Sequence, residues 1–274
     1  MLINPLLRKG APVLSASVSY RAITENLDRS LKNTAEKPQI ARETKYYMEN
    51  IGKVKSIDDF LGDDRIYKFA MKAAGLSDMG YAKAFMRKVL TEGIDDKKSF
   101  ANGLADKRYQ KFVETFNFAR YNTATTSFDR TQQGTVDNYV RQTLEEDAGA
   151  QNEGTRLALY FERMAPNVSG TMGILADKAM LQVIHTAFQI PELTALMDID
   201  KQVEMIEKRF KVEDLKDPDK LKSLLQRFTS LWELNNSSGG NTASSGAAVI
   251  LGQANVGISG DILGAIQQLK IGGG

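Results

Sequence analysis

The chain has no cysteine, one histidine and one tryptophan among its 274 residues, and each scarcity removes a class of function. Without cysteine there is no disulfide, no thiolate metal site and no cysteine nucleophile. A lone histidine, His185, supplies too few ligands for a zinc or copper centre. Long apolar runs are missing too: no stretch approaches the roughly 18 consecutive apolar residues of a membrane helix. The early segment with Leu6, Leu7, Arg8 and Lys9 is too interrupted, by Pro12 and serines, to form a signal-peptide core. Neither charge sign dominates, since 36 lysines and arginines face 34 acidic residues, interleaved along the chain. A dedicated nucleic-acid binder would show a basic face or tail. Phosphate-cradling glycine loops, nucleophile elbows and Ser/His/Asp sets are also lacking. The expectation is a soluble, cytoplasmic protein with no catalytic residues, cofactor, metal, nucleic-acid partner or membrane span.

What is present is a sizeable apolar fraction, 42%, enough for a core without covalent staples. The most informative pattern is internal repetition. Shifting the chain by 114 positions lays Phe60-Leu61-Gly62-Asp63 on Ile174-Leu175-Ala176-Asp177, and Ile66, Tyr67, Phe69, Ala73 and Leu76 on Met180, Leu181, Val183, Ala187 and Ile190. Apolar spacing persists while most identities change, which reads as selection for a packed scaffold.

Helical periodicity runs through both copies. Ile23, Leu27 and Leu31 recur at every fourth position and predict one helix from Ser17 to Asn33. Pro38 opens a second helix, Ser56 with Asp59 makes a capping box before Phe60, and Asp63 or Asp64 caps a segment that closes at Gly75. Ala82, Phe85, Met86 and Val89, then Tyr109, Phe112, Val113 and Phe116, mark two more helices. In the second copy Val136, Val140 and Leu144 open the plan, and Leu221, Leu224, Leu225 and Phe228 close it behind Asp217-Pro218. Strand-like alternation is nearly absent.

The predicted fold is all-α and multihelical: two pseudo-repeats of about 114 residues packed together, with a flexible Gly/Ser-rich C-terminal tail. Its parts are a disordered segment (1–16), a first repeat (17–118), a connector (119–134), a second repeat (135–234), and a linker with tail (235–274). Helical patterning begins only near Ser17, which leaves open a biological start downstream of Met1. Ten of the 22 glycines lie in residues 233–274. In that tail a final stripe of Ile262, Leu263, Ile266 and Leu269 is the candidate partner contact; folding back, docking on a partner or second copy, and staying disordered all remain open.

Candidate chemistry is thin. Met71 stands where His185 stands in the other copy, so His185 reads as a packing residue and not a general base. The acidic pairs Asp58-Asp59, Asp63-Asp64 and Asp95-Asp96, and the run Glu145-Glu146-Asp147, read as helix-start charges, since none has the alternating spacing of a calcium loop. Trp232 reads as a core lid. Tyr46, Arg65 and Arg156 are the polar groups that would line a cleft between the copies if the chain bound a small ligand.

Several stretches resemble a known family: residues 23–31, Ala41-Arg42-Glu43-Thr44 with Tyr46-Tyr47, Asn50-Ile51-Gly52-Lys53-Val54, Ile57-Asp58-Asp59-Phe60-Leu61, Tyr81-Ala82-Lys83-Ala84-Phe85-Met86, Ser99-Phe100-Ala101-Asn102 and Leu104-Ala105-Asp106-Lys107-Arg108-Tyr109. The family is alpha-proteobacterial, filed as a domain of unknown function, all-helical with two structural repeats, and often encoded among flagellar genes. The resemblance covers about residues 17 to 232 and implies a non-enzymatic structural or assembly role in the flagellar system, with protein partners, flagellar components among them. The alternatives are a cytoplasmic adaptor, chaperone or regulator of flagellar export, and a small-ligand binder with a cleft between repeats.

Overall fold

The computed structural model describes residues 14–236, and every regular element among them is helical. The stretch expected as the first copy runs through α1 (Ala16–Thr24), α2 (Leu27–Ala35), α3 (Pro38–Asn50), α4 (Ile57–Gly62), α5 (Asp64–Ala73), α6 (Lys83–Glu92), α7 (Phe100–Gly103), α8 (Lys107–Thr115) and α9 (Phe118–Tyr121). The second follows with α10 (Gln133–Gln151), α11 (Glu153–Met164), α12 (Thr171–Leu175), α13 (Lys178–Ala187), α14 (Ile199–Glu207) and α15 (Pro218–Asn236). Residues through Glu233 form one unit; of the other, 234–274, only the helical residues 234–236 are described. The tail residues Ile262, Leu263, Ile266 and Leu269, and residues 1–13, lie outside the described residues.

Capping explains where the helices start. Ser56 accepts from the Asp59 N–H at 3.0 Å while the Asp59 carboxylate accepts from the Lys55 N–H, so α4 has a reciprocal cap. Asp63 accepts from the N–H groups of Arg65 and Ile66 at 2.9 and 3.0 Å; Asp177 does the same for Ala179 and Met180 at 3.0 and 3.1 Å. Pro38 and Pro218 occupy first turns, where their missing N–H has no helical partner to lose.

The helix expected from Ser17 to Asn33 is in fact two. It breaks after Glu25, at Asn26, where a φ of −133° and a ψ of 44° leave the helical region. The break lets one apolar stripe serve two places: Tyr20 and Ile23 on α1 pack into the second copy's core, whereas Leu31 and Ala35 pack against the first. Helix α10 makes the reverse exchange without a break. Its Val136, Tyr139 and Val140 belong to the first core, and Ala148 belongs to the second. The two cores therefore share their leading helices.

Of residues 119–134, expected as a connector, those up to Thr131 form the rest of α9 and two 3-10 helices, Asn122–Ser127 and Asp129–Thr131, and Gln133 already opens α10. Thr125, Thr126 and Thr131 are fully buried there, and each hydroxyl donates to a backbone carbonyl: Thr126 to Val54 at 2.8 Å, Thr131 to Phe128 at 2.7 Å and Thr125 to Asn122 at 2.8 Å. The Tyr47 hydroxyl donates to the Thr131 carbonyl at 2.6 Å from beneath.

Candidate functional site

The greatest concentration of inward-facing charge lies on α10, between the two cores. Glu145 is 1% exposed. Its carboxylate accepts from Arg141 Nε at 3.0 Å and from Arg163 on α11 twice, Nε and Nη2 both at 2.7 Å. The Arg163 contact is the bidentate fork that suits a carboxylate best. Arg163 also donates to Gln142 at 3.3 Å and lies 5.3 Å from the ring of Tyr160, whose hydroxyl donates to Asp177 at 2.6 Å. The first copy reaches the same region through Lys72, which pairs with Glu146 at 2.8 Å, and through Arg108, which pairs with Asp106 and donates to the Gly75 carbonyl.

The run Glu145-Glu146-Asp147 was expected at a helix start and lies instead in the second half of a 19-residue helix. These charges are stabilised by arginine and lysine across a helix crossing, not by free N–H groups. Sequence reasoning missed the set because Arg163 is 18 residues from Glu145. The signal available was Arg141 and Glu145 at i,i+4, next to the stripe of Val140, Leu144 and Ala148.

Burial works against the charged form of Arg163, but the Glu145 hydrogen bonds and charge outweigh it and raise its pKa above the ordinary value. Burial, then the Asp177 carboxylate, pushes the Tyr160 phenol up, so it stays protonated and serves as a donor. A carboxylate gripped by two guanidiniums has its lone pairs committed, which suits a lock between helices better than a general base.

The other candidate residues are scattered. Tyr46 donates to Asp63 at 2.8 Å and carries the Arg65 guanidinium 3.6 Å over its ring, with Arg65 paired to Glu43 at 3.2 Å. Arg156 pairs with Glu153 on the N-terminal turn of α11, so Tyr46, Arg65 and Arg156 do not converge on one cleft. His185 is half-buried on α13. Trp232 packs against the second core, 5.7 Å from Phe228, and lies so close to Gly154 that a Cβ there would come within 2.3 Å of the indole. Asp95 and Asp96 lie in a turn after α6, where Asp95 pairs with Arg120 at 2.9 Å. Among the described residues no three His, Cys, Asp or Glu side chains gather as metal ligands, and no helix is long and apolar enough to cross a membrane. A cavity of about 420 Å³ lies away from the charged seam; Phe188, Phe210, Leu224 and Arg227 line it, and its Lys220 is already paired with Asp214 at 2.6 Å.

Residues 73–221, more than half of the chain, match the family model described as "Protein of unknown function (DUF1217)". The chain belongs to this family. A crystal structure of a protein from Agrobacterium tumefaciens, an alpha-proteobacterium, is similar at 47% sequence identity, with 83% of this chain and 99% of that one covered and a TM-score of 0.74. No curated protein matches the chain. Membership spans the seam, since Glu145 and Arg163 both fall inside the matched residues.

Proposed function

We propose that the protein is a non-enzymatic structural or assembly component of the bacterial flagellar system that works through protein–protein contacts. The observation that carries the non-enzymatic half is the Glu145 seam: the most concentrated ionisable groups of the fold are spent on fastening α10 to α11. The flagellar half rests on the family resemblance, whose members' genes often stand among flagellar genes.

The test is a clean deletion in a motile host, scored for swimming and for filament assembly. Loss of either, restored by the wild-type gene, is the expected result. A deletion strain that swims and builds filaments normally would sink the flagellar role. Fractionation then separates two kinds of contact protein, because an assembled part travels with basal bodies and an export chaperone with its unassembled cargo.

A further inference from the structure

Helix α1 covers a face of the second copy that the first copy leaves bare. Under the shift of 114, Thr155 and Glu162 on one side of α11 lie on Ala41 and Met48 of α3. Ala41 and Met48 are exposed, whereas Thr155 is fully buried and Glu162 half-buried. What lies on them is α1: the Thr155 hydroxyl donates to the Ala16 carbonyl at 3.5 Å, and Tyr20 faces Glu162. Since α3 keeps its place with that face open, the helical plan of a repeat does not need the cover.

The cover is lightly held. Nine residues are too few to keep a helix on their own, so α1 persists only while docked. Ala16 and Tyr20 are its buried residues, and the Ala16 N–H donates to Glu233 at 2.5 Å. Against these contacts stand two polar atoms buried without a hydrogen-bond partner, Ser19 Oγ on α1 and Glu162 Oε2 on α11. Each costs free energy while α1 is down, and each regains water when it lifts. A hinge is already in place, because the exposed Asn26 takes the chain out of the helical region between α1 and α2.

Glu162 sets the balance between these terms. From α1 the group that faces it is Tyr20, and from α10 it is Arg141. Arg141 is committed elsewhere, to Glu145 at 3.0 Å and to the Leu159 carbonyl at 3.3 Å. Burial, then Glu162, pushes the Tyr20 phenol up, so it stays protonated. An ionised Glu162 is therefore left with one phenol and a shared guanidinium while an oxygen stays dry. Burial accordingly raises its carboxyl above the ordinary range, with Tyr20 and Arg141 opposing.

We propose that α1 is a strap governed by the proton on Glu162: it holds α11 while the carboxyl is neutral and loosens, lifting about Asn26, once the carboxyl ionises. A neutral carboxyl is buried at far smaller cost than a carboxylate. Docking raises the pKa, so the proton's contribution to docking is complete below the undocked value, about 4.3, and is lost as pH rises through the docked one. Lifting uncovers the part of the second core where Tyr20 and Ile23 pack. This inference is independent of the flagellar reading, and a motility result bears on neither its success nor its failure.

Hydrogen exchange of the full chain, read by mass spectrometry on the peptide spanning residues 14–26 and corrected for the intrinsic pH dependence of amide exchange, measures how often α1 opens. Between about pH 5 and about pH 8 its protection should fall by roughly threefold to tenfold, while the amides of α10 and α11 keep theirs. Glu162→Gln, and Glu162→Met with the residue of the first copy, should each hold α1 at all pH values as wild type holds it at the acid end. Protection of α1 that does not change with pH overturns the proposal. So does a fall that survives loss of the carboxyl in either variant, or one shared by α10 and α11, which would mark opening of the whole fold.

Discussion

Phe60 and Ile174 hold corresponding places in the two copies, and both are fully buried, yet they sit in differently made interiors. Around Phe60 the rings of Phe116, Phe118, Tyr67 and Phe112 lie at centroid distances of 5.0, 5.7, 6.0 and 6.1 Å. Ile174 lies in a core with fewer rings, where Phe161, Phe210 and Phe228 are set among Leu157, Ala158, Val183, Ile184 and Leu225. What matches in atomic detail is polar. Tyr46 to Asp63 and Tyr160 to Asp177 are the same hydrogen bond at the same spacing of 17 residues, and the N–H of Leu76 reaches the Met71 carbonyl as that of Ile190 reaches His185, each at 2.8 Å. Caps and the Tyr–Asp tie set the helical plan, and side chains of quite different volume fill it.

The largest expected effect tests that difference. Phe60→Ala should cost about 3–5 kcal/mol, and Ile174→Ala about 2–5. Urea titration followed by far-UV circular dichroism measures both. Trp232, the only tryptophan, packs on the second core, so its emission reports that core alone. With α1 and α10 shared, Phe60→Ala should move the Trp232 midpoint as far as the dichroism midpoint. A Trp232 transition left in place would show that the cores unfold separately.

Next comes the seam. Glu145→Ala leaves Arg141 and Arg163 facing one another inside the fold and should cost about 3–5 kcal/mol, read by the same titration. Replacing Glu145, Arg141 and Arg163 together by methionine should recover much of that loss, because the unpaired buried charge, not the missing pairs, carries the penalty. If the triple substitution is no better than the single one, the seam stabilises through packing.

Much of the helical plan was readable in advance because capping is local: Asp63, Ser56, Gly75 and Pro218 announce their roles within four residues of the helix ends they serve. The broken leader was not readable. Ile23, Leu27 and Leu31 keep a helical period straight through the break, and only the presence of two separate cores explains the kink at Asn26. Glu145 was misjudged for the same reason, since its partner on α11 is a tertiary neighbour that no local spacing reveals. Tyr46 and Tyr160 were aligned by the repeat, but their bonds to Asp63 and Asp177 appear only once α3 and α11 are folded against α5 and α13.

A pH experiment sharpens the contrast between the copies at Glu162, which lies where the first copy has Met48, a residue 39% exposed. Burial raises the Glu162 carboxyl above its ordinary range, with the Tyr20 hydrogen bond and Arg141 opposing. A folded-state pKa above the unfolded one means that the protonated form favours folding. That contribution is complete below the unfolded pKa, about 4.3, and is lost as pH rises through the folded value. Glu162→Gln should therefore melt higher than wild type near neutrality, and the gain should close as pH falls toward about 4. A gain that is constant with pH would assign the effect to packing of α1 on α11.

The smallest effect separates the copies at one backbone position. After α5 the chain turns through Gly75 with φ +69°, and after α13 it turns through Gln189 with φ +52°. Glycine enters the left-handed region freely, while a residue with a Cβ is held there at a cost of about 1 kcal/mol. Gln189→Gly should accordingly raise stability, by up to about 1 kcal/mol after glycine's greater freedom in the unfolded chain is set against the relief. Gly75→Ala should lower it by about 1 kcal/mol. Space does not decide the second case, because a Cβ on Gly75 would meet its nearest neighbour, the Gln142 side-chain oxygen, at an ordinary 3.7 Å. The pair thus isolates the backbone term: equal and opposite shifts in thermal midpoint assign the cost to φ alone, whereas a much larger loss at Gly75 would mean that its contact with Gln142 on α10, or the bond from Arg108 on α8 to its carbonyl, is disturbed as well.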